Sequence, residues 1–176
     1  MPKSADPERQ LAGFIARYTP DIADLAEAVL NKMRRRYSTA LELVYDNYNA
    51  LAIGFGPTER ASDAIFSIAL YPQWVSLFFL QAKGLCDPSG MLKGSGKVCK
   101  HVVLPSPAML DDPALAALMK DAVASARVPF DPKGMYRLII KSISKKQRPR
   151  RPAAKSQTSK RAAPAKRPVQ RQIKSA

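Results

Sequence analysis

Apolar positions recur along this chain with two periods, and the change between them marks its elements. Leu11, Phe14, Ile15 and Tyr18 fall on one side of a helix, and Ile22, Leu25, Val29, Leu30 and Met33 form a longer stripe of the same kind. Leu115, Leu118, Met119 and Val123 repeat the pattern near the other end. Each stripe follows a shared start signal: Asp6-Pro7, Thr19-Pro20 and Asp112-Pro113. A side-chain oxygen there accepts a bond from a free amide of the first turn, and proline has no amide to leave unsatisfied at the first helical position. The second helix ends in Arg34, Arg35 and Arg36, where cations suit the carboxyl end of the helix dipole.

Between the second and third helices the period becomes two. Leu41, Leu43 and Tyr45 alternate with Glu42, Val44 and Asp46, which predicts a strand buried on one face, with Leu41, Leu43 and Tyr45 as its apolar side. Asn47 to Asn49 make a turn, Ala50 to Phe55 a second strand, and Gly56-Pro57 its stop. Ala64 to Tyr71 and Trp74 to Leu80 are apolar on both faces, as central strands are, and are joined by a turn at Tyr71-Pro72-Gln73. Gly84 to Gly96 is a loop and His101 to Leu104 a short strand. Met135 to Ile143 alternates again, with Tyr136, Leu138 and Ile140 facing inward and Arg137 and Lys141 outward. This order predicts an α+β domain: a small, mostly antiparallel sheet of five to six strands with helices packed on it.

Charge divides the chain. Residues 145–176 hold twelve Lys or Arg and no acid, whereas the first 144 residues hold 17 basic and 14 acidic residues. The net charge of +15 therefore belongs mainly to the C-terminal segment. Its composition of Lys, Arg, Pro, Ala, Ser and Gln offers too little apolar surface to offset an ordering cost of about 1–2 kcal/mol per residue. The expected organisation is one domain over residues 1–144 and a disordered basic tail over residues 145–176. Two cysteines are too few for a secreted disulfide framework, the N-terminus lacks the apolar core of a signal peptide, and Trp74 to Leu80 is too short to span a bilayer. A cytoplasmic protein with no membrane partner is expected. Oligomeric state is not readable from the pattern.

Several strings resemble the YdhG-like domain family of bacteria, a family of largely unknown function. They are Tyr45-Asp46-Asn47-Tyr48-Asn49-Ala50-Leu51-Ala52-Ile53-Gly54-Phe55-Gly56-Pro57, Leu70-Tyr71-Pro72, Leu77-Phe78-Phe79-Leu80, Lys93-Gly94-Ser95-Gly96-Lys97 with His101, Tyr136 to Ser142, and Lys146-Gln147-Arg148-Pro149-Arg150. The resemblance covers roughly residues 22–151 and implies an α+β domain with a small antiparallel sheet. Some relatives are described as frataxin-like iron chaperones, so the resemblance alone raises iron as a cofactor or cargo. The residues themselves supply neither a metal motif nor an acidic ridge.

Candidate chemistry is sparse. Tyr45, Asn47, Tyr48 and Asn49 form the densest polar-aromatic cluster of the body, and with Trp74 and His101 they can line a small-ligand pocket. The alternative is a tight turn held by asparagine side chains. Lys93, Gly94, Gly96, Lys97 and Lys100 can present amides and cations to an anion, although Met91 and Val98 break the phosphate-loop pattern and a plain connecting loop is the favoured alternative. Cys86, Cys99 and His101 are the only soft metal ligands, and their spacing matches no zinc pattern, so no metal site is assigned. No nucleophile elbow is present and the single histidine has no evident partner, which argues against nucleophilic catalysis. In the tail, Lys145, Lys146, Arg148, Arg150, Arg151, Lys160, Arg161, Lys166 and Arg167 are the expected contacts to nucleic acid or another polyanion, weak and non-specific. The sequence thus predicts a non-enzymatic binding domain with a polyanion-binding tail, with an intracellular iron or small-ligand carrier as the alternative.

Overall fold

The computed structural model describes residues 6–152. The helices α1 (Pro7–Ile15), α2 (Pro20–Arg36) and α3 (Pro113–Ala124) begin at the three expected prolines. Asp6 caps α1 by accepting the amide of Glu8, and Asp112 caps α3 by accepting the amides of Ala114 and Leu115. Thr19 differs: its side chain makes no cap bond, and the start of α2 rests on Pro20 and on Asp21 in the first turn. No helix of the described residues is long and apolar enough to cross a membrane.

Strands β1 (Leu41–Asp46), β2 (Leu51–Gly56), β3 (Phe66–Leu70), β4 (Val75–Phe79), β5 (Lys100–Leu104) and β6 (Arg137–Ile143) form one six-stranded sheet in the order β5-β4-β3-β2-β1-β6. The first five pair antiparallel as a meander, and β6 joins the outer side of β1 in parallel. The fold is therefore α+β with a mostly antiparallel sheet. The direction of β6 follows from the connection: α3 and a loop carry the chain back across the helical layer, so it re-enters the sheet at the end where β1 begins.

Pairing register assigns the faces, because residues opposite one another in neighbouring strands share a side. The row Val44, Ile53, Ile68, Leu77 and Val102 lies under the helices, as do Phe55, Phe66 and Phe79. These meet Leu11 and Ile15 of α1, Ala26, Val29 and Met33 of α2, and Leu115 and Met119 of α3.

This register reverses the expected orientation of β1. The side under the helices is Glu42, Val44 and Asp46, while Leu41, Leu43 and Tyr45 face the other way. Both carboxylates are fully buried, and each has a guanidinium partner. Arg34 of α2 donates to both oxygens of Glu42, at 2.7 Å each. Asp46 is paired with Arg17, which follows α1, and with Arg150 at 2.8 Å. Acids sit on the core side because cations from the helices and the C-terminal segment meet them there. Leu138 and Ile140 of β6 do pack inward, as expected. Tyr136, which precedes the strand, does not: it remains 38% exposed and donates its hydroxyl proton to Glu8 at 2.7 Å.

Candidate functional site

The far side of the sheet carries small side chains. Ala52, Ala69 and Ser76 form one cross-strand row beside Tyr45, and Gly54 and Ser67 lie in the next, between Leu43 and Phe78. Toward one end this face is covered by Ala64, whose Cα lies 2.9 Å from the position a Cβ on Gly56 would take, so only glycine leaves room for that crossing. Toward the other end the face is a groove between two turns.

The first turn is Asn47–Asn49, closed by the Asn47 amide on the Ala50 carbonyl at 3.0 Å. The second is the Tyr71–Trp74 hairpin, closed by the Tyr71 amide on the Trp74 carbonyl at 2.9 Å. Its two-residue loop makes Tyr71 and Trp74 a cross-strand pair, and their rings stack with centroids 5.0 Å apart. Ala52, Ser67 and Ala69 floor a cavity of about 380 Å³, walled by Tyr48, Asn49, Tyr71 and Phe78. Asn49 and Tyr71 also line an adjoining cavity of about 660 Å³, whose other walls are Trp74, Arg148, Pro149, Arg151 and Pro152. Small floor residues create the depression, and aromatic rings from the turns raise its sides.

The second wall is unexpected, because residues 145–152 belong to the segment assigned to a disordered tail from composition. They are instead held along the end of β1. Ser144 donates its amide to Asp46 O and Arg148 donates its amide to Tyr48 O, both at 2.9 Å. Arg150 is 5% exposed; besides its Asp46 bond it donates to the Asn47 carbonyl, and its guanidinium lies 5.7 Å from the Tyr18 ring centroid. Arg151 donates Nε to the carbonyl of Tyr18 at 3.1 Å and Nη2 to that of Ala16 at 3.4 Å, which caps the carboxyl end of α1 while the residue stays exposed and outside any ion pair among the described residues. Tyr18 completes the anchor: its hydroxyl donates to Leu70 O at 2.9 Å and accepts the Leu51 amide at 3.0 Å, bridging β2 and β3 beneath the groove. Burial pushes the Tyr18 hydroxyl above its usual pKa, with Arg150 pulling the other way.

This anchoring corrects the assignment of Arg150 as a polyanion contact, since its charge is spent within the fold. Arg148 stays exposed, its guanidinium 5.5 Å from the Tyr48 ring centroid, and it joins no ion pair among the described residues. Lys145 and Lys146 are also exposed, whereas Lys160, Arg161, Lys166 and Arg167 lie outside the described residues. Arg34 and Arg36 add little to the basic surface, being tied to Glu42 and Glu8 and to Asp111 respectively.

Of the expected pocket residues, Asn47, Tyr48, Asn49 and Trp74 come together in the groove. Tyr45 lies on the same sheet face without lining it, and His101 stands behind Phe78, ring on ring at 5.1 Å. Tyr71, Phe78 and the small floor residues were missed, although the spacing of Tyr71 and Trp74 around a two-residue turn places both on one face. The glycine-rich loop folds onto β5: Lys93 pairs with His101, and Lys100 donates its ammonium to the Gly94 carbonyl. Lys97 and Gly96 are exposed at its tip. Cys86 and Cys99 are exposed free thiols, and partial desolvation pushes the Cys99 pKa up. Among the described residues no group of three or more His, Cys, Asp or Glu is placed to hold a metal ion. The crevice between α1 and α2, about 180 Å³, is lined by Arg34 and Glu8, which are already paired with each other.

The geometry can hold a flat or amide-bearing ligand against aromatic rings, with guanidinium charge on one side. No protein-family model, curated protein or solved structure matches this chain.

Proposed function

We propose that this is a non-enzymatic domain of the YdhG-like type that binds nucleic acid or other polyanions, weakly and without sequence preference, through the basic segment that follows Pro152. The observation that carries this proposal is the partition of charge. Arg17, Lys32, Arg34, Arg36, Arg137 and Arg150 are all engaged by carboxylates of the domain. Residues 153–176 add seven Lys or Arg with no acid. A polyanion meets a folded body in which 14 acids offset part of the basic charge and a segment whose sequence offers no counter-charge. Each phosphate neutralised releases a counterion, so affinity must fall steeply with salt.

The test is duplex DNA binding by the full chain and by a chain ended after Pro152, which keeps the anchor intact. The full chain is expected to show a log–log salt slope of up to about −6, from seven contacts at about 0.9 each. The shortened chain should lose most of that slope. Equal affinities and slopes would defeat the proposal. A small-ligand carrier is the second reading, favoured by the groove. Its iron-carrying form rests on the family resemblance alone.

A further inference from the structure

We infer that the groove between the Asn47–Asn49 turn and the Tyr71–Trp74 hairpin is a stacking site for unpaired bases, which makes single-stranded nucleic acid the preferred polyanion. This inference rests on the polyanion binding proposed above and adds the class of nucleic acid and the place of contact.

Three observations converge. First, the groove carries partly exposed aromatic rings: Trp74 is 42% and Tyr48 is 48% exposed, with Arg148 lying over the Tyr48 ring. Trp74 is braced from beneath by Tyr71, so its ring is held as a platform. Second, the charge fits. Arg148 and Arg151 line the groove and no acid does. Third, the basic segment starts here, since Pro152 is itself a wall of the larger cavity. Seven cations spread over the 24 residues that follow suit a repeating polyanion better than a single anionic metabolite.

The linked cavities, about 660 and 380 Å³, fall in the size range of small-ligand pockets, about 300–1,000 Å³. A base removed from a helix fits such a space, whereas a stacked pair offers only edges. Stacking on Trp74 or Tyr48 serves any base, and the Asn49 amide adds a donor and an acceptor for a base edge. Cationic contact to the backbone with aromatic contact to the base is how sequence-tolerant single-strand sites work.

Trp74 is the sole tryptophan, so its emission reports on the groove alone. The experiment titrates the full chain with three labelled probes, each about twelve nucleotides long: oligothymidylate, a duplex, and an abasic strand carrying only phosphates and sugars. Anisotropy reads affinity and tryptophan emission reads contact. Oligothymidylate is expected to bind about fivefold or more tighter than the abasic strand and to be the only probe that quenches Trp74. Trp74→Leu should lower oligothymidylate affinity toward the abasic level, Trp74→Leu with Tyr48→Leu should bring it there, and both should leave duplex and abasic binding unchanged; a thermal melt matching the parent confirms that each variant is folded. Equal affinity for all three probes with unquenched Trp74 overturns the groove and leaves the tail proposal standing. Quenching by oligothymidylate with no duplex or abasic binding supports the groove and defeats the tail. Absence of binding by every probe defeats both.

Discussion

Asp46 concentrates what is unusual about this protein at the scale of a residue. It is a fully buried carboxylate on the core side of a strand, facing Arg150 from a segment 104 residues away. Removing one partner of such a pair leaves the other charge in a poor solvent. Asp46→Ala should therefore cost about 3–5 kcal/mol in urea unfolding, while Asp46→Leu combined with Arg150→Leu should recover a good part of it. A cost below about 1 kcal/mol for the single variant would mean that Arg150 is solvated after all. Tyr37 offers a second residue-scale test. It is stacked between Phe66 and Phe130 at 5.2 Å from each, and burial pushes its pKa to about 12. The unfolded value lies near 10, so the neutral folded form contributes its full stability below about pH 10 and loses it as the pH rises toward 12. Tyr37→Phe should flatten the alkaline fall in melting temperature over that window. An unchanged fall would assign it to other tyrosines whose pKa the fold raises, such as Tyr18 and Tyr136.

Among the elements, the helices were the most legible, because proline at the first helical position and a 3.6-residue stripe are local signals that packing did not overrule, even where Thr19 makes no cap bond. Strand existence was legible too, but the face of β1 was not. Alternation shows that two sides differ; it does not show which side lies under the helices. Glu42 and Asp46 looked like solvent positions, since the arginines that neutralise them are far away in sequence or on another element. Part of the candidate site was readable for the converse reason. Tyr48 and Asn49 belong to a turn that composition marks, whereas the floor of Ala52, Ser67 and Ala69 is defined by register across two strands. The boundary after Ser144 failed because composition counts cations without seeing a buried partner for one of them. That failure has a test. A chain ended after Pro152 should melt like the full protein, whereas one ended after Ser144 loses Arg150 and should fall by about 3 kcal/mol, roughly 6–12 °C for a domain of this size. Identical melting of the two would show that residues 145–152 contribute nothing to the fold.

The whole molecule is a one-sided sandwich: helices cover one face of the sheet, and the other is closed at one end by Ala64 and open at the other between two turns. The direction of β6 decides what stands beside that opening. In parallel with β1, it begins opposite Leu41, near the Tyr136–Glu8 contact, and delivers the chain to Asp46. Had the same strand run the opposite way, the chain would have left the sheet beside Leu41, about 17 Å from the groove at the usual rise per residue. The basic segment would then have been tethered to the wrong end of the protein, with the same composition, the same net charge and the same pI. Strand polarity, to which none of those bulk properties is sensitive, is the variable that makes Pro152, the residue from which the charged segment continues, a neighbour of the aromatic groove.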